Sequence, residues 1–282
     1  MTDILNWLII PFELGFQQRA LYGGIIAVVM TSTVGILVVL QGMSFFGDAF
    51  VHGVLPGIAT AVIFGFSPIV GAAIAAGVMI FGVEFVHRQT KLSEDTAIGL
   101  LYVAMTSLGV AIISKSDSYA GNLTSILFGD AFGVSLNDII EQGILAVILV
   151  GVSIIFYRPF LALSLSPEKS KTLNMHPKRT HTLLLIFIAI AIIGSFQSVG
   201  TLLVFGLLVG PPATASLLSR TVPIMYMISI VTGSLSVFLG LALSFHLGTA
   251  GSATIAFTST TLFFSVLIIQ QLRSSLQRKV IL

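Results

Sequence analysis

Apolar residues run through this chain in long blocks separated by short polar ones. The first strong run is Leu21 to Leu40, and the chain stays apolar again from Met43 to Phe66. A turn at Ser67 and Pro68 leads into a run ending at Val86, and His87 to Asp95 (HRQTKLSED) is the first clearly polar loop. Thr96 to Ile113 follows, then a mixed region from Ser114 to Asn137, then Ile139 to Tyr157. The longest polar stretch, Arg158 to His181, precedes two runs, Leu183 to Phe196 and Thr201 to Leu218, joined by a tight turn at Gln197 to Gly200. Gly210, Pro211 and Pro212 are expected to interrupt the second of these. Val222 to Phe245 and Ala253 to Ile269 close the series before a basic tail, Arg273 to Lys279. Apolar runs of about 18 to 25 residues suit helices that cross a hydrocarbon core about 30 Å thick. Alternating strands of barrel type are not seen. The predicted fold is all-α and polytopic, a single transmembrane domain over residues 1–282 with about eight membrane helices, at least one of them broken. Ile4 to Phe16, with Trp7, Pro11 and Glu13, is partly amphipathic and predicts a segment at the membrane interface.

Composition agrees: of 282 residues, 56% are hydrophobic and 9% charged, against roughly a quarter charged in soluble domains. The net charge is +2, with basic residues in short loops, so nucleic acid is not an implied partner. The chain has no cysteine. Any metal site must therefore use carboxylate, imidazole, carbonyl or water. The opening MTDILNWLIIPFELG lacks a basic n-region and a small-residue cleavage site and does not read as a signal peptide. Basic loops stay cytoplasmic, which puts Arg88 with Lys91, the Arg158 to Arg179 loop, Arg220 and the tail on one side. The runs before Arg88 are then one too many if Arg19 also lies inside. Either the amino terminus is outside, or the stretch around Asp48 enters and returns without crossing. The second arrangement is preferred and places both termini inside, since irregular backbone is tolerated where it lines a cavity.

One stretch carries the candidate chemistry: Met43 to Gly57, MSFFGDAFVHGVLPG. Asp48 and His52 are four residues apart, so on a helix both side chains leave the same face. Pro56 removes the N–H that would bond the His52 carbonyl, which predicts a break and a freed oxygen beside the two side chains. Gly53 and Gly57 form a small-xxx-small pair of the kind that packs membrane helices. Ionisable groups at this depth cost about 2.5–3.5 kcal/mol and mark a pathway or site. The alternative is a pair that only locks two helices together. Weaker metal candidates are Glu84 and His87, near a crossing's end beside Arg88 and Lys91; Asp130, in the mixed outer region; and His246, at the opposite boundary. His176 and His181, in the basic loop, read as solvated or at a protein contact.

Several activities are excluded by absence. No G-x-x-x-x-G-K-[ST] occurs, so any ATP-driven step belongs to another subunit, and neither a serine nucleophile elbow nor H-E-x-x-H is present. FGDAF occurs at Phe46 to Phe50 and again at Phe128 to Phe132. An intramembrane aspartyl protease would need GxGD, but Phe45 and Leu127 stand where its first glycine belongs.

The chain resembles the membrane-spanning permease subunit of the manganese and zinc family of ATP-binding-cassette importers. Met43 to Gly57 is similar to the family's G-D-A-x-x-H-x-V-L-P-G, and KLSEDTAIGLLY at Lys91 to Tyr102 to its S-E-D-T-A-I-G block. ILFGDAFGVS at Ile126 to Ser135, QSVGTLLVFGLLVGPPATASLL at Gln197 to Leu218, and GSATIA at Gly251 to Ala256 resemble three further blocks. The resemblance implies a type II importer-like permease of the bacterial plasma membrane, not itself an enzyme. It implies a second copy of the chain, an ATP-binding subunit on the cytoplasmic side, an extracytoplasmic metal-binding protein and contact with membrane lipid. It implies no permanent cofactor, transported Mn²⁺ or Zn²⁺ meeting Asp48 and His52, and a segment at Leu165 to Pro177 that couples to the ATPase. In that segment Ser166 suits an N-cap before Pro167 and Glu168, and Asn174, where relatives carry glycine, a C-cap. Gln41 stands where relatives often have arginine. A secondary carrier driven by an ion gradient is the rival reading; it would purify without an ATPase.

Overall fold

The computed structural model describes residues 2–90, 93–114, 132–165 and 175–280, and all regular structure among them is helical. The elements are α1 (Thr2–Ile9), a 3₁₀ turn (Ile10–Glu13), α2 (Gly15–Leu40), α3 (Ser44–Gly53), α4 (Leu55–Phe64), α5 (Pro68–Gln89), α6 (Glu94–Ile113), α7 (Leu136–Ile155), α8 (Tyr157–Leu165), α9 (Pro177–Val199), α10 (Thr201–Leu218), α11 (Val222–Leu247) and α12 (Gly251–Val280). Among the described residues, eight spans are long and apolar enough to cross a membrane, with Ser44–Phe64 counted as one; the apolar stretch Leu203–Leu218 is shorter.

Glycine sets the two reversals that bracket the central stretch. Gly42 has φ +70°. Its N–H bonds the Val39 carbonyl at 3.1 Å, and the Met43 N–H reaches Val38 at 3.0 Å, the paired bonds of a Schellman cap. Gly65, φ +73°, repeats the arrangement at the end of α4 through Gly65 to Val62 and Phe66 to Ala61. Pro68 then opens α5, where a missing N–H costs nothing.

Contacts along these helices show which way each runs. α2 starts where the Arg19 guanidinium donates to the Val134 carbonyl (3.1 Å) and ends where the Gln41 amide donates to Ser164 (3.0 Å). The α3–α4 segment leaves from the Gln41 end, meets Met79 at Gly53 and Gly71 at Gly57, and reaches Ser67 at the opposite end. It therefore passes through the bundle. The preferred sequence reading, in which this stretch enters and returns, is corrected: α4 continues outward beyond the break because its small residues pack along α5. Lys178, Arg179 and Arg220 lie at the Gln41 end, which is the cytoplasmic one, so the amino terminus is external.

α10 also differs from expectation. Its helix continues through Pro211 and Pro212. Pro212 deprives the Leu208 carbonyl of its helical donor, and that oxygen lies against the backbone of Gly35 in α2. The absence of a side chain on Gly35 is what lets the two helices approach so closely there. α2 and α10 form the middle of the bundle, and polar side chains tie α2 to α11: Ser229 donates to Ser32 (2.8 Å) and the Tyr226 hydroxyl to the Thr33 carbonyl (2.8 Å). α3 packs between α6 and α10, with α5 and α9 behind it.

Candidate metal site

The face of α3 turned inward is apolar and closely packed. Phe46, Ala49, Phe50 and Val51 are buried, and the bare backbones of Gly47 and Gly53 meet Leu208 of α10 and Met79 of α5. Residues 45, 48 and 52 recur at helical spacing on the other face. That face carries Phe45, Asp48 and His52, and none of the three is fully buried. The Asp48 and His52 side chains are 29% and 31% exposed, and Asp48 Oδ1 stands 3.6 Å from His52 Nε2. This separation leaves both groups able to turn toward a common cation.

α6 supplies a neighbour that sequence reasoning passed over. The Tyr102 ring meets His52 edge-on, centroids 6.0 Å apart, and meets Phe45 at 5.7 Å. Aromatic edges of this kind fix ring orientation. Tyr102 was visible at the end of the S-E-D-T-A-I-G block, but nothing in one sequence pairs it with a histidine on another helix.

The expected break occurs at Val54, which separates α3 from α4. The His52 carbonyl is not left bare, however. Pro56 cannot donate to it, and the Val54 N–H does so instead. The backbone oxygen predicted beside the pair is thus already engaged.

The weaker candidates lie elsewhere or outside the described residues. Glu84 Oε1 on α5 is 3.1 Å from His181 Nδ1 and accepts from the Thr182 hydroxyl at 2.9 Å, at the cytoplasmic start of α9. His181, read as a loop residue, is largely buried in helix because α9 begins at Pro177. His246 stacks on Trp7 with centroids 4.1 Å apart, and its Nε2 lies 2.8 Å from the Trp7 carbonyl oxygen at the external end. The His87 side chain, Asp130, and Ser166, Pro167, Glu168 and Asn174 fall outside the described residues. Among the described residues, no group of three or more His, Asp or Glu side chains converges.

A family model described as the ABC 3 transport family matches residues 13–270. The manganese transport system membrane protein MntC of Listeria innocua is 31% identical over 89% of this chain and 90% of its own length. The manganese import system permease protein ScaB of Streptococcus gordonii is 32% identical over 94% and 95%. A probable iron transport system membrane protein of Haemophilus influenzae is 29% identical over 96% and 99%. Among solved structures, PsaBC from Streptococcus pneumoniae in complex with Fab superposes with a TM-score of 0.82 at 27% identity, covering 93% of this chain and 95% of that one. The apolar membrane-spanning bundle and a match over nearly the whole length show that this chain belongs to the ABC 3 transport family, as a multi-pass membrane permease subunit and not an enzyme.

Proposed function

We propose that this chain forms the membrane path of an ATP-driven importer for a divalent transition-metal ion, Mn²⁺ foremost, and that Asp48 and His52 receive the ion in transit. The observation that carries this is the carboxylate–imidazole pair, 3.6 Å apart and part-exposed on one face of a helix amid apolar surroundings. Two relatives are named for manganese and one for iron. Carboxylate oxygen suits Mn²⁺ and imidazole also suits Fe²⁺ and Zn²⁺, so Zn²⁺ stays within the class.

Two ligands from one chain are too few for any of these ions. A second copy facing the first across the α3 surface would contribute its own Asp48 and His52 and double the set. Held so, the ion is bound firmly enough to shed water and loosely enough to leave. An ATP-binding subunit would dock on the cytoplasmic segment between α8 and α9, where Ser166, Pro167, Glu168 and Asn174 lie, and alternate the access to the site. An extracytoplasmic binding protein would deliver the ion to the other face.

Uptake of radiolabelled manganese into vesicles holding the reconstituted complex tests the assignment. Asp48→Ala and His52→Ala are expected to abolish uptake while the complex assembles and hydrolyses ATP. Wild-type uptake by both variants would overturn it. A tandem dimer with one altered half should lose most transport if the copies share the ion.

A further inference from the structure

On the side of the bundle walled by α5, α7 and α9, at its external end, lies a groove of about 360 Å³. One face of α7 lines it, and polarity along that face changes with depth. Asp138 and Glu141 come first, then Gln142, then Leu145 and Ile148. At 1.5 Å per residue Ile148 sits about 15 Å below Asp138. Ile69 at the start of α5 walls the outer part and Ile190 of α9 the deep part, and both are exposed, so the groove opens to the surroundings of the bundle.

Gln142 is the informative residue. It is only 3% exposed, and among the described residues neither its Nε2 nor its Oε1 has a hydrogen-bond partner. A carboxamide offers two donors and an acceptor oxygen, and leaving all of them bare at membrane depth is costly. The rim adds negative charge. Asp138 Oδ2 already accepts from the Ser135 N–H and hydroxyl, which leaves its charge in place, and Glu141 is exposed. Among the described residues, no lysine or arginine lines the groove.

We propose that this groove binds one outer-leaflet phospholipid with a primary-amine head group. A phospholipid has the same order of polarity: charged head, ester-linked glycerol, hydrocarbon chain. The ammonium group supplies donors to the Glu141 and Asp138 carboxylates and to Gln142 Oε1. An ester carbonyl accepts from Gln142 Nε2, and the acyl chain follows Ile148 and Ile190. Head groups with net negative charge meet the acidic rim unfavourably, and a trimethylated amine has no N–H to give.

Native mass spectrometry of the full chain in detergent tests this, by titration with phosphatidylethanolamine, phosphatidylcholine and phosphatidylglycerol of matched acyl chains. Phosphatidylethanolamine is expected to bind about tenfold more tightly than the other two, the effect of one charge-assisted contact. Gln142→Leu and Glu141→Gln should each remove that preference. Glu141→Gln changes only a surface charge, so it remains informative if Gln142→Leu fails to fold. Equal binding of the three lipids, a preference for phosphatidylglycerol, the absence of any lipid-dependent mass shift, or an undiminished preference in Glu141→Gln would overturn the proposal.

Discussion

The backbones of Gly57 and Gly71 press against each other where α4 crosses α5, so that a Cβ on either residue would fall on the carbonyl oxygen of the other. Neither carbonyl can move without disturbing its own helix. Gly57→Ala is therefore expected to destabilise the protein by at least about 1–3 kcal/mol, the usual cost of overpacking. Gly99→Ala is the comparison, because among the described residues nothing lies within 4 Å of a Cβ there. It should be neutral or stabilising by up to about 1 kcal/mol. Thermal unfolding in detergent, read by tryptophan fluorescence or circular dichroism, separates the two. Equal behaviour would show that the α4–α5 contact is loose.

Tyr102 is expected to position His52 through its ring and not its hydroxyl. Tyr102→Phe should transport at close to the wild-type rate. Tyr102→Ala should lower transport about two- to tenfold, the worth of one aromatic contact of about 0.5–1.5 kcal/mol. The measurement is manganese uptake against concentration, and a phenylalanine variant as poor as the alanine one would assign the role to the hydroxyl.

Glu84 and His181 join the end of α5 to the first turns of α9, directly after the segment proposed to meet the ATPase. A double-mutant cycle of Glu84→Ala and His181→Ala is expected to give a coupling free energy of about 0.5–3 kcal/mol in thermal stability. Either single change should also weaken the link between ATP hydrolysis and uptake. Strict additivity would mean that the 3.1 Å contact contributes nothing.

Gly42 holds the turn that aims α3. Its φ of +70° costs a residue with a Cβ about 1–2 kcal/mol. Gly42→Val should therefore lower stability by that amount and reduce uptake with it, by shifting Asp48 and His52 together. Gly42→Asn should be milder, since asparagine accepts this conformation more readily. Differential scanning fluorimetry with parallel transport assays would show both.

The amino-acid sequence by itself determined the class of molecule and which helix face carries the candidate ligands. Apolar runs long enough to span a bilayer leave no soluble alternative, and Asp48 and His52 share a helix face because four residues make about one turn. The break after His52 was legible for the same local reason: Pro56 removes a hydrogen bond whatever surrounds it. The tertiary structure decided what depends on a neighbour. Whether residues 44–64 cross or return turned on Gly53 and Gly57 packing along α5. That α10 runs on through Pro211 and Pro212, with the freed Leu208 carbonyl set against the bare backbone of Gly35, is seen only in the packed bundle. The partners of His52, Glu84 and His246 come from helices 50, 97 and 239 positions away in sequence. Periodicity places a side chain on a face; only the packing of helices determines what that face meets.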